Sequence, residues 1–150
     1  MRFALHPIST GWRPYALLLL LCAVLYVPGL ASLPVTDRDE ARFAQATRQM
    51  LETGDFLDIR FGETARNNKP AGIYWLQAAA VAATEGPEGR AIWPYRIPSL
   101  LGAIGAVLLT FAFGARLVGS KAALIGAALL ASSVALAVEA HLAKTDAVLL

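Results

Sequence analysis

"IPSLLGAIGAVLLTFAFGA", residues 97–115, runs for nineteen positions without a charged side chain. A helix rises about 1.5 Å per residue, so about 20 residues cross a hydrocarbon core about 30 Å thick. Two other blocks share this character, residues 15–33 and 122–138. Flanking Trp, Tyr, Pro and Ser residues bring each to spanning length. Hydrophobic residues make up 57% of the 150 and charged residues 16%, against roughly 45–50% and 25% in soluble domains. The expectation is an all-α integral membrane chain with spans over about 14–33, 97–117 and 121–139. A formal net charge of +2 leaves no polybasic patch for nucleic acid, so membrane lipids are the expected surroundings. The lone Cys22 lies inside the first block and has no internal partner for a disulfide. A cleavable signal peptide is the alternative for the N-terminus, with Arg2 and Arg13 before "YALLLLLCAVLYV" and "GLA" at 29–31 as the cleavage site. Two further apolar blocks favour a retained anchor.

Positive residues set the orientation. Arg2 and Arg13 precede the first block, and Arg116 and Lys121 bracket the short link between the second and third. Both sets belong in the cytoplasm, which makes residues 34–96 an extracytoplasmic loop of a multi-pass plasma (inner) membrane protein. That loop has eight Lys/Arg and nine Asp/Glu, so it is no basic cytoplasmic loop, and it is where chemistry is expected. A helix over about 39–53 ends at Gly54, a natural C-cap. A second, over about 70–84, starts at Pro70 and is too short to span. Tyr74 and Trp75 suit a helix lying in the headgroup layer. Between the two helices a short strand is expected near 56–61.

Three charge clusters stand out. In the first, Asp37, Arg38, Asp39, Glu40 and Arg42 crowd into six residues. Thr36-x-x-Asp39 and Asp37-x-x-Glu40 both fit a capping box, and acids suit the positive end of the helix dipole. Capping explains one or two acids, but not three acids interleaved with two arginines at a membrane exit. The second cluster, "RNNKPAGIYW" at 66–75, also reads as a polar turn before a proline-started helix, with Lys69 snorkelling to lipid. The third, "EAHLAKTDAVLL" at 139–150, holds Glu139, His141, Lys144 and Asp146 and resembles the start of a fourth span. An ordinary loop pair, Lys144–Asp146, is its plainest explanation. The expected topology puts all three on one side of the membrane, which favours a shared polar site. There is no HExxH, CxxC, Walker or Rossmann pattern.

"DEARFAQATRQMLETGDF" at 39–56 and "NKPAGIYWLQA" at 68–78, following an apolar block, resemble the start of the polyprenyl-phosphate-sugar-dependent membrane glycosyltransferases. The 4-amino-4-deoxy-L-arabinose lipid A transferases are most similar, and the protein O-mannosyltransferases are more distant. The pattern is carried by Asp39, Glu40, Ala41, Arg42, Phe43, Arg48, Met50, Gly54, Asp55, Phe56, Lys69, Pro70 and Trp75, and "KTDAVLL" resembles the family's second acidic position at Asp146. The arabinose transferases usually have Glu where this chain has Asn68. The resemblance implies a C-type glycosyltransferase fold of which these residues form the N-terminal part, three spans and the start of a fourth, inactive as this piece alone.

The implied reaction moves a sugar from a polyprenyl-phosphate donor to a lipid, glycan or protein acceptor outside the cytoplasm. By resemblance Asp39 and Glu40 are the catalytic carboxylates, with Asp39 the general base. Arg42 and Lys69 would bind donor phosphate, and Asp146 would bind substrate. No cofactor is implied. A divalent ion held by Asp37 and Asp39 as D-x-D is the alternative, disfavoured because Glu40, not Asp37, belongs to the family pair. The rival reading is a transporter, flippase component or membrane scaffold without catalysis.

Overall fold

The computed structural model describes residues 11–35, 37–66, 69–86 and 91–149. Seven helices and one small hairpin occur among them: α1 Arg13–Tyr26, α2 Arg38–Thr53, β1 Arg60–Phe61, β2 Thr64–Ala65, α3 Ala71–Thr84, α4 Trp93–Leu117, α5 Ser120–Ala131, α6 Val134–Ala140 and α7 Asp146–Leu149.

α4 matches the stretch that decides the fold, and starts four residues before the expected 97 because Pro94 fits the first turn, where a missing N–H costs nothing. Among the described residues it is the one helix long and apolar enough to cross a membrane. Only 28% of its most apolar window is buried.

The other two expected spans are not continuous helices. Instead of running over 14–33, α1 ends at Tyr26 after 14 residues, about 21 Å. Pro28 follows, and Gly29 takes φ 92°, a left-handed turn that helical geometry does not allow. The expected span over 121–139 is divided into α5 and α6, which meet at 60°. Ser133 causes the break: it leaves helical geometry at ψ 135°, and its side chain accepts the Leu136 N–H as a new N-cap. α5 and α6 reach spanning length only as a bent pair. Where the start of a fourth span is expected, the described residues form the four-residue helix α7.

α1, α4, α5 and α6 share one apolar core, including Leu18, Cys22, Val107, Phe111, Ala127 and Leu136. The Tyr26 hydroxyl donates to the Ala131 carbonyl at 2.8 Å, tying the end of α1 to the end of α5. α7 packs on α4 so closely that a Cβ at Gly102 would sit 2.3 Å from the Ala147 carbonyl oxygen. α2 and α3 form a second layer around Phe43, Ala46, Met50, Ile73, Tyr74 and Ala78. The hairpin between them has Gly62 at its turn with φ 61°. Gln49 of α2 holds that turn, accepting the Gly62 N–H at 2.9 Å and donating to its carbonyl at 3.0 Å.

Tyr74 does not stand at a headgroup surface. It is fully buried, stacks on Phe43 with centroids 5.4 Å apart, and its hydroxyl accepts from Arg66. Trp75 is 48% exposed and donates its indole N–H to the Phe56 carbonyl.

Candidate functional site

α2 begins at Asp37, whose carboxylate accepts the Asp39 N–H at 2.7 Å. Half of the Asp37-x-x-Glu40 capping box therefore forms. The other half does not, because Glu40 turns inward. Thr36 lies outside the described residues.

Glu40 is fully buried and meets Arg96, from the first turn of α4, in a two-pronged ion pair at 2.7 and 3.1 Å. Arg96 also donates to the carbonyls of Leu30, Leu33 and Pro34 at 2.8, 2.9 and 3.4 Å. A buried guanidinium needs its charge and its N–H groups matched, and here both are. Glu40 Oε1 accepts the Ala143 N–H as well, at 3.0 Å. This position suits a residue that locks the site rather than a carboxylate that meets substrate.

The lock extends further. The Ala143 carbonyl accepts from Gln77 of α3 at 3.3 Å, and the Lys144 carbonyl accepts from Ser99 of α4 at 3.0 Å. Gln77 in turn accepts from Thr47 of α2 at 2.6 Å. Glu40, Thr47, Gln77 and Ser99 are all 0% exposed. Residues 143–144 are thus clamped by side chains from three helices far apart in sequence. A satisfied polar network of this kind fixes one arrangement.

The clamp brings the first and third charge clusters together. Lys144 pairs with Asp37, and Asp146 follows two residues later at the start of α7. Asp39 follows two residues after Asp37, its side chain 53% exposed, with Arg42 at 3.4 Å. The Lys144–Asp146 pair expected from sequence does not form; Lys144 takes Asp37 instead.

The second cluster reaches the same end of the molecule. Phe43 stacks on Tyr74 and Thr47 bonds Gln77, so α2 and α3 run parallel in step. Their N-termini therefore lie side by side, with Asp39 opening one and Lys69 preceding the other. Lys69 is exposed, and α3 has no side-chain cap. A helix start whose N–H groups have no side-chain cap among the described residues, with a lysine beside it, attracts anions. Arg66 sits 4.9 Å over the Phe43 ring in the same region. Asn68 lies outside the described residues. Among the described residues no group of three or more His, Cys, Asp or Glu forms a metal cage. The D-x-D pair is divided, Asp37 to Lys144 and Asp39 to Arg42.

Sequence reasoning missed Arg96 and Gln77 as site builders. Their signal was available: a charged and an amide side chain beside strongly apolar helical runs.

The Asp37–Lys144 pair sets a pH window. The bond from Lys144, then that from the Asp39 N–H, holds Asp37 below its ordinary value of 3.8. Burial pulls Lys144 down, but its bond to Asp37 and the surrounding acids outweigh this and raise it above 10.5. Asp37 therefore contributes stability above its unfolded value, lost as pH falls through the depressed folded one. Lys144 contributes below 10.5, lost as pH rises through its raised value. The expected result is slow, pH-corrected exchange of the Asp39 amide down to pH 3.8, with loss only in more acid solution. Loss already at pH 5 would show that the pair does not hold in solution.

Comparison with family models, curated proteins and solved structures found no match to this chain.

Proposed function

We propose that this chain belongs to a membrane enzyme that transfers a sugar from a polyprenyl-phosphate donor to a lipid, glycan or protein acceptor on the extracytoplasmic side. One observation supports it above the others. The first and third clusters, about a hundred residues apart in sequence, are joined by Lys144 with Asp37 and by the Ala143 N–H with Glu40, the second packs on α2 through Arg66 over Phe43, and a half-exposed carboxylate, Asp39, stands beside Arg42.

The chemistry needs few parts. A sugar phosphate on a lipid already carries its leaving group. Asp39 takes the proton of an acceptor hydroxyl as that oxygen attacks the anomeric carbon. The C–O bond to phosphate breaks, and the polyprenyl phosphate leaves with the bonding pair. Lys69, the N–H groups opening α3 and Arg42 offset the charge on the departing phosphate. Asp146, held by the clamp, orients the acceptor. Glu40 positions Asp39 through Arg96 and Ala143, without contact with substrate. A plasma-membrane setting accords with the apolar length of α4. The rival reading, a transporter or flippase component, moves the donor across the membrane unchanged.

Lys69→Gln tests the phosphate role. It removes a cation and leaves α3 in place, because the side chain is exposed. In the full-length protein the donor KM should rise roughly tenfold, the size of one charge-assisted hydrogen bond. An unchanged donor KM would remove Lys69 from the site. Donor movement across vesicles with no sugar transferred would favour the rival.

A further inference from the structure

We propose that the hollow where α5 bends into α6 is a binding site for a single-chain amphiphile with a cationic amine head. This shares Asp146 with the transfer reading and otherwise uses residues that it does not assign to the reaction.

The bend at Ser132 and Ser133 opens a cavity of about 380 Å³, lined by Leu130, Ser133, Ala135, Leu136, Glu139 and Asp146. This is within the range of small-ligand pockets, about 300–1,000 Å³. A second hollow of about 400 Å³, between α4 and α5, is lined by Leu109, Phe113 and others and shares Leu130 with the first. The two hollows flank Leu130, and the first has two carboxylates in its lining, Glu139 and Asp146.

One of these carboxylates lacks a partner and the other is open to solvent. Glu139 Oε2 is shut off from solvent and has no hydrogen-bond partner. Asp146 receives one long bond, from Thr145 at 3.4 Å. Among the described residues no Lys, Arg or His nitrogen lies within 4 Å of either, since the nearby Lys144 is taken by Asp37. A buried carboxylate oxygen without a partner is costly, and a ligand that donates N–H bonds and carries positive charge removes that cost. The Ser133 hydroxyl already accepts the Leu136 N–H. A calcium ion would need six to eight oxygen ligands, which two acids and a leucine-lined wall do not supply. An anionic head would be repelled. An alkylammonium satisfies both hollows, its chain against Leu130, Leu109 and Phe113 and its head between Glu139 and Asp146.

The test uses the full-length protein in phosphatidylcholine nanodiscs, with Cys22→Ala and a single reporter thiol from Ala135→Cys. Alkylation of that thiol is followed against dodecylamine, dodecanol, dodecanoate and propylamine. Dodecylamine should protect saturably, with an apparent affinity at least about tenfold above dodecanol, since bonds to a charged group carry about 1.5–3 kcal/mol. Dodecanoate and propylamine should give no protection at that concentration. Glu139→Gln should bring dodecylamine down to the dodecanol level. Asp146→Asn, at an exposed position, should weaken it with the fold intact. Equal protection by amine and alcohol, or an amine preference kept in both variants, would overturn the proposal. So would a thiol already unreactive without probe because another segment or a second copy covers it.

Discussion

Arg96→Met is expected to remove about 3–5 kcal/mol of stability, the usual cost of breaking a buried ion pair by deleting one partner. That is a large share of the roughly 5–15 kcal/mol that folded domains have. The loss comes from what remains. Glu40, with no exposure, keeps a charge that only the Ala143 N–H then meets. Three carbonyls at 30, 33 and 34 lose their common donor. Arg96→Lys should recover part of the loss, because an ammonium restores the charge but cannot reproduce the planar fork. Arg96→Met with Glu40→Leu should be less damaging than Arg96→Met alone, since no buried charge is stranded. Equilibrium unfolding in detergent, with the four proteins compared, measures this. A change below about 1 kcal/mol for Arg96→Met, the range of surface pairs, would show that the pair is not buried in solution.

The legible and illegible parts of the structure divide on physical lines. α2, α4 and α3 were readable to within a few residues, because apolar runs, Gly54 and Pro70 mark helices by local chemistry. The breaks at Pro28–Gly29 and Ser132–Ser133 were not read, although proline, glycine and serine pairs were visible there. Hydropathy counts apolar residues and ignores a serine that caps a new helix. In the site, Asp39, Arg42, Lys69 and Asp146 were legible as charges without a packing reason. The pairings that build the site were not, because they join distant residues such as Glu40 and Arg96, 56 positions apart. The same pairing gave Glu40 an inward role that its neighbour Asp39 does not share. From sequence the two acids look alike; the helix turn of about 100° per residue places one inside and one outside.

Asp39→Asn should reduce sugar transfer by about 10²–10⁴-fold, the range of a positioned general base. The side chain is half exposed and its partner among the described residues is Arg42 at 3.4 Å, so asparagine keeps its shape and place. The α2 cap is unaffected, because that bond uses the Asp39 backbone N–H and the Asp37 carboxylate. What asparagine lacks is the capacity to take a proton at neutral pH. Asp37→Asn is the matched control. Its amide oxygen still accepts the Asp39 N–H, while the ionic part of its bond to Lys144 is lost, so transfer should fall little.

Sugar transfer from a polyprenyl-phosphate donor, in membranes carrying equal amounts of the full-length protein with Asp39→Asn, Asp37→Asn or no substitution, tests the central claim most directly. If Asp39 is the base, the first variant loses about 10²–10⁴-fold of the rate and the second stays near the unsubstituted level. Near-normal transfer by Asp39→Asn would contradict that role, and equal losses in both variants would point instead to a metal held by the D-x-D pair.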